Sequence, residues 1–517
     1  MERRNQKILE QIQHKIDYIL SQLDRDPFSK TGGSFDRLFW GWKLKDYPDA
    51  TLQRLVFPLT YYYYNIDSSL CDEEQFLTWM IKSFEYLEKI QHQDGSFDQA
   101  FPNEHSHGAT AFLLHDCAHT YGIIRNKLDN VLKDRIEQTL RKMGDYLTRH
   151  DEEHGFISNH LLGAASGLQM LYILTKEGRY EHRSRFYIDK VISKQSPEGW
   201  FVEYGGADPG YQTLAIYYMA QYYAQTKDGP VLESLEKAIE FISFFLHPDG
   251  SFGGEYGSRN TEIFYPGGVA LVQRVVPLAG SILEFVTHSI EKARTVNLDS
   301  VDIGNIAPLI NNYLTAFIRT RNEGKVDGGL IPFRRSPFVK EFKDAGIVVF
   351  NGESNYAAIG ISKGGVIKEY DKKNSVKFRD DCGYIGVLKS GEMVSTQNLC
   401  KPLYDLNLDK LVVYADFYEI IQPIPDPYKF LIFRIFSLVL GNIHWLREAV
   451  KRLLVRSLLT NSKRAKFKLV REVSWTSPLT VQDTIKPEGA EDEFVYLKYG
   501  VKFSTIHMAS AKYWHRQ

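Results

Sequence analysis

The sequence is sparing with cysteine. Its four, Cys71, Cys117, Cys382 and Cys400, are scattered over 517 residues without metal-ligand spacing. A chain of this length does not need a disulfide framework either. No pattern calls for a metal or an organic cofactor. Charge of one sign is also missing. There are 63 Lys and Arg against 64 Asp and Glu, a net of −1, which argues against a nucleic-acid partner. Nor is there a long apolar run at the start. The opening "MERRNQKILEQIQHKIDYIL" has basic residues but no uninterrupted apolar core and no small-residue cleavage site. It reads as an amphipathic helix rather than a signal peptide, so the expected compartment is the cytoplasm.

What is present changes character near residue 320. Before it, "EQFLTWMIKSFEYLEKIQ", "LKDRIEQTLRKMGDYLTRH" and "VLESLEKAIEFISFFL" carry apolar residues at three- and four-residue spacing, the mark of helices. After it come short β-rich runs such as "GIVVFNG", "NYAAIGI", "GVIKEY" and "KLVVYADFYEII", separated by Gly, Asn, Asp and Lys. We expect a helical domain over residues 1–320 and an antiparallel β-sandwich over 321–517, joined near "RNEGKVDGGLIPFRRSP".

The helical part repeats itself. "GGSFD", "QDGSFD", "EHGFIS", "PEGWFVE" and "PDGSFGGE" each follow one helix and precede another, at a period of roughly 45 to 60 residues. Helical hairpins that each bury one face must stack on neighbours, and the closed solution is an α/α toroid. Its inner helices would be apolar nearly all round, as "HLLGAASGLQMLYIL" is. An open solenoid would have the same spacing.

If the turns share one rim, the residues after them line a cleft. "DQAFPNEHSHG", "ISNH", "EYGGADPGYQ" and "GEYGSRNTE" hold His105, His107, Asn159, His160, Glu203, Tyr204, Tyr211, Tyr256 and Arg259. Each has a plain structural reading too. Asn159 could be only a helix N-cap, His160 a core histidine, Tyr211 packing, and Arg259 a loop tie. The convergence of four polar turns before apolar helices favours a site.

One segment stands apart. "PYKFLIFRIFSLVLGNIHWLREAVKRLLVRSLLTNSKRAKFK" interrupts the strands over about 427–466. An apolar half is followed by a basic half containing Arg447, Lys451, Arg452 and Arg456. It is too short to span a bilayer. It would either lie on an anionic membrane surface through residues 428–459, at the inner face for a cytoplasmic chain, or pack its apolar face on the toroid.

The order "SNHLLGAASGL" and then "GWFVEYGGADPGYQTLAIYYM" resembles polysaccharide lyases of the heparinase II/III and alginate-lyase type. In that family an Asn-His pair opens an apolar inner helix, and the next turn leads to Pro-Gly-Tyr and another helix. The family fold is a toroid followed by an antiparallel β-sandwich, and "AGIVVFNGESNYAAIGIS" is similar to the opening of its β domain. The resemblance implies an acidic polysaccharide as substrate. Asn159 would bind the uronate carboxylate, and His160 and Tyr211 would handle protons. Arg259, or else Tyr204, would supply a further charge or hydrogen bond. His105, His107, Glu203, Tyr204 and Tyr256 would be substrate contacts. Where family members bring a histidine from the β domain, residues 340–400 hold none.

The chemistry suits these residue types. β-Elimination removes the C5 proton of a uronate and expels O4. A fixed amide or cation on the carboxylate stabilises the developing enolate, and an acid–base pair moves the protons. A uronyl C5-epimerase would share the first step. A toroid glycoside hydrolase would need a carboxylate pair, for which Glu203, Asp208 and Glu255 are the candidates. A non-catalytic glycan-binding toroid would need neither.

Overall fold

A computed structural model describes the chain except residues 1, 153–154, 324–325, 327, 422–425, 456–462, 489–492, 507 and 515–517. Paired helices dominate the first part. An inner set comprises Val56–Asn65, His107–Ile124, Ser158–Thr175, Pro209–Thr226 and the short Gly267–Val272. An outer set comprises Glu73–Ile90, Asn130–Arg149, Gly178–Ile192, Gly229–Ser243 and Pro277–Glu291. Inner helices are buried on nearly every face: Leu161, Leu162, Ala164, Ala165, Leu168 and Leu171 point in all directions and none is exposed. Outer helices keep one apolar stripe. The first helix, Glu2–Gln22, packs on Pro277–Glu291 and on the last, Ile303–Glu323. That contact closes the ring and excludes the open solenoid.

The repeated turn has a steric cause. Gly95 and Gly199 have φ of 96° and 98°. A Cβ on either would run into a main-chain carbonyl of the following outer helix, that of Lys142 or Lys237. Glycine is therefore required both for the left-handed backbone and for the close approach. Half-buried glutamines lock the same turns: Gln91 donates to Gly95 O and Thr139 O, and Gln195 to Gly199 O and Ser234 O.

Twelve strands follow among the described residues. β1 (Phe338–Phe342), β2 (Ile347–Asn351), β3 (Asn355–Gly360), β4 (Val366–Asp371) and β5 (Val376–Asp381) form an antiparallel sheet in chain order. β6 (Ile385–Leu388), β7 (Met393–Ser395), β8 (Leu403–Leu406), β9 (Lys410–Glu419), β10 (Arg464–Ser474), β11 (Thr480–Pro487) and β12 (Phe494–Lys498) form the second sheet. Its order is β11-β10-β9-β7-β6-β12, with β8 beside β9. The central strands β2 to β4 of the first sheet are covered on both faces, which explains the apolar runs of β2 and β3. Ile347, Val349, Tyr356 and Ala358 join the toroid core. Val348, Phe350, Ala357 and Ile359 meet Leu411, Val413 and Val473 of the second sheet. The fold is thus an α/α toroid with an antiparallel β-sandwich docked on it.

Between β9 and β10 lie helices Pro427–Leu440 and His444–Val455. The first docks on the toroid by one face only. Asn103 donates to Ser437 O at 3.0 Å, Phe101 meets Phe433, and Arg434 pairs with Asp46 at 3.2 Å. The opposite face is apolar and uncovered: Ile432 is 69% exposed and Val439 68%, and Trp445 at the start of the second helix is 69% exposed. The basic half departs from expectation. Arg447 and Lys451 are buried and share Glu448, at 3.5 and 3.3 Å. They face the toroid, where burial without a counter-charge would be costly, rather than solvent. Arg456 lies outside the described residues. Among the described residues no helix is long and apolar enough to cross a membrane.

Candidate functional site

Asn159 and His160 occupy the first turn of the inner helix Ser158–Thr175. Asn159 is not the N-cap; Ile157 is, and it has no capping side chain. The Asn159 main-chain N–H and its Nδ2 each donate to Glu203, both at 2.9 Å. Nδ2 carries two hydrogens, so one remains after Glu203 has fixed the amide plane. Glu203 is fully buried. Burial pushes its carboxyl up to about 7, against the opposing effect of the two Asn159 donors. Its role is to hold Asn159, which corrects its assignment as a substrate contact. In Asn159→Ala stability should therefore fall along with activity, because deleting the amide strips a donor from a buried carboxyl.

His160 is part-exposed, and its Nδ1 lies 2.9 Å from Glu152 Oε2. A carboxylate only accepts, so Nδ1 carries a hydrogen, and in the neutral ring this leaves the lone pair on Nε2. Phe112 supports the imidazole edge-on, with centroids 5.3 Å apart, and stacks on Tyr218. Beneath them Arg54 donates to Asp116 at 2.7 Å and to Tyr218 Oη at 3.0 Å. The floor of the site is therefore a buried, paired cation. Neither Glu152 nor Arg54 is among the residues the sequence singles out.

Tyr211 follows Asp208, the N-cap of the inner helix Pro209–Thr226. Asp208 accepts from the main-chain N–H of Tyr211 at 3.0 Å and of Arg259 at 2.9 Å. One buried carboxylate thus ties the helix start to the turn bearing Arg259. Burial pushes the Tyr211 phenol up to about 12, so it is protonated at neutral pH. Its Oη is 2.9 Å from Ser510 Oγ. The segment carrying Ser510 returns from the β domain; Asn260 donates to Ser504 Oγ, and Lys502 pairs with Glu262. The Arg259 guanidinium donates to Tyr204 O at 2.9 Å and lies 4.5 Å from the Tyr204 ring centroid. Glu203 holds Asn159, its chain neighbour Tyr204 is held by Arg259, and Arg259 shares Asp208 with Tyr211. Asn159, His160, Tyr204, Tyr211 and Arg259 therefore share one end of the ring.

Three expected substrate contacts are elsewhere or inward. His105 is clamped by Asp94 at 2.6 Å and stacks on His92, closing its own turn. His107 is buried, with Nε2 3.0 Å from Tyr187 Oη and Nδ1 3.6 Å from Glu152, so it supports Glu152 from below. Tyr256 is fully buried and meets His247 Nε2 at 2.9 Å. The carboxylates that a hydrolase would need are committed as well. Glu203 and Asp208 hold main-chain and amide N–H groups, and Glu255 pairs with Lys368 at 2.7 Å. The oxygens of Glu255 and Asp380 and the sulfur of Cys382 are close enough to share a metal ion. Lys368 Nζ already supplies a cation there, 2.9 Å from Asp380.

Residues 50–269 match the family model of the ulvan lyase N-terminal domain. Among solved structures, the fold is similar to Paenibacillus xanthan lyase, with a TM-score of 0.52 and 11% identity over 81% of this chain and 47% of that one. It is also similar to the chondroitin AC lyase of Streptomyces coelicolor A3, with a TM-score of 0.53 and 9% identity over 80% of this chain and 66% of that one. The chain thus spans about half to two thirds of the length of these two enzymes. A comparison with curated proteins finds no match.

Proposed function

We propose that the chain is a polysaccharide lyase that cleaves an acidic, uronate-containing glycan by β-elimination. The observation that carries this reading is the assembly of an amide, an imidazole, a protonated phenol and a guanidinium at one rim, all four inside the residues that match a lyase family model. Asn159 and Arg259 take the uronate carboxylate and stabilise the enolate as it forms. His160, oriented by Glu152, receives the C5 proton on Nε2. The C4–O4 bond breaks, and Tyr211 gives its proton to O4, leaving a C4=C5 double bond and a new chain end. The high proton affinity of Tyr211 supports the acid role for it, since a base at that position would need a phenolate.

A uronyl C5-epimerase is the second reading, because the same base and carboxylate clamp serve its first step. Incubation with uronate polymers in heavy water separates the two. The expected result is rising ultraviolet absorbance from the unsaturated product, together with new chain ends. Deuterium uptake at C5 without chain shortening would replace the lyase with the epimerase.

The uncovered apolar face of Pro427–Leu440 supports a peripheral membrane contact, at the inner face if the chain is cytoplasmic. Because Arg447 and Lys451 are buried beside Glu448, which leaves Arg452 as the exposed member of the described basic group, such binding would rest mainly on apolar burial and little on charge. Flotation should then occur with neutral and anionic vesicles alike, change little with salt, and be lost in the double variant Ile432→Asp/Val439→Asp. Protein that stays at the bottom of the gradient with both lipids would remove the membrane from the account.

A further inference from the structure

The turn between β3 and β4 brings one more charged group to the site. Lys363 ends the 3-10 turn Ile361–Lys363 and is 0% exposed. Its Nζ has no hydrogen-bond partner among the described residues. The turn packs on the toroid loop that carries Arg259: a Cβ on the neighbouring Gly360 would lie 2.9 Å from Tyr256 Cα and 3.2 Å from Lys363 Cβ. Arg259 is also buried, and its Nε has no partner either.

Two like charges are thus buried on the two sides of one contact between the β domain and the toroid, each with an unmet donor. Buried charges are normally paired, and buried donors are normally satisfied. The nearby carboxylates do not resolve this. Asp208 is occupied by main-chain N–H groups, and Glu255 by Lys368. Burial first, and then repulsion from Arg259, hold the Lys363 ammonium down at about 8, with Asp208 and Glu255 acting in the opposite sense.

We propose that Lys363 and Arg259 form an oxyanion-binding subsite shared between the β domain and the toroid, which takes a carboxylate or a sulfate ester of the glycan. This deepens the lyase reading and rests on it for the source of the anion. The subsite supplies a positive group from the β-domain segment 340–400, where the sequence holds no histidine. The part-exposed Tyr204 ring covers the guanidinium, and it is the group that swings aside when the anion enters.

Thermal unfolding of the full chain tests this without any turnover. The wild type, Lys363→Met and Lys363→Gln are each heated with glucuronate, glucose 6-sulfate, glucose or sodium chloride at matched ionic strength. A ligand that binds only the folded state raises the midpoint. The wild type should gain several degrees with at least one of the two oxyanions, and none with glucose or chloride; which oxyanion does so identifies the group bound. Both variants should lose that gain, and in plain buffer Lys363→Met should melt at or above the wild-type midpoint, because an unpaired buried charge is gone. Equal gains in all three proteins, no gain in the wild type, or failure of both variants to fold would overturn the subsite. An anion response in a protein that eliminates no polymer would sink the lyase reading and leave the subsite standing. Elimination without a Lys363-dependent response would do the reverse.

Discussion

Replacing Tyr211 with phenylalanine is expected to lower turnover by about two to four orders of magnitude, the range a positioned acid or base contributes. The substitution keeps the ring, the helix start and the Asp208 cap, because Asp208 binds the Tyr211 main chain and not the phenol. It deletes one hydroxyl and its contact with Ser510. A single hydrogen bond of this kind is worth about 1 kcal/mol, so the unfolding midpoint should move by only a few degrees. The comparison of kcat with stability gives the test its force, since a packing role would shift the second and spare the first. The measurement is initial rate by ultraviolet absorbance with saturating polymer, beside a thermal melt. Near-normal kcat in Tyr211→Phe would show that the phenol does not protonate the leaving oxygen. Asn159→Ala is a poorer probe than its place in the sequence suggests. Its amide also serves the buried Glu203, so a loss of activity there would be mixed with a loss of structure.

The residues legible in the sequence are those whose role is set locally. Gly95 and Gly199 announce their turns because no other residue fits the backbone there. The Asn159-His160 pair and the Pro209-Gly210-Tyr211 step stand out because polar groups precede helices that are apolar on all sides. The first sheet could be read as strands, but not the burial of β2 to β4 on both faces, which depends on the toroid beneath it. What escaped is set by distance along the chain. Glu152 lies eight residues before His160, in a charged run where nothing marks one carboxylate over its neighbours. Ser510 reaches Tyr211 across 299 residues. Lys363 looks like any loop lysine until the β domain docks. His105 and Tyr256 depart from the sequence expectation for the opposite reason. Each sits in a polar turn at the rim, but Asp94 and His247 draw them inward. The spacing of Arg447 and Lys451 is visible in the sequence, but their burial is not. The single acidic residue beside them, Glu448, turns both toward the protein.

Glu152→Gln is expected to lower kcat by about a hundredfold or more, within the range of a general base, while KM changes little. The carboxylate does two things for His160. It accepts from Nδ1–H, which leaves the Nε2 lone pair for the substrate, and it lies 2.9 Å from a ring that becomes cationic on taking the C5 proton. Glutamine is nearly isosteric. Its carbonyl can still accept from Nδ1, so the imidazole should keep its place against Phe112 and Gly108. What disappears is the negative charge that stabilises the imidazolium. Charge opposite charge at that range, in a site poorly screened by water, favours the protonated ring, and the benefit arises only as the proton moves. An interaction that grows between the bound substrate and the transition state appears in kcat rather than KM. Glu152→Asp keeps the charge one methylene further back and should retain more activity than Glu152→Gln. If the two variants are equally impaired, Glu152 acts by shape alone. If Glu152→Gln turns over at the wild-type rate, His160 is not the base, and the C5 proton must leave by another group.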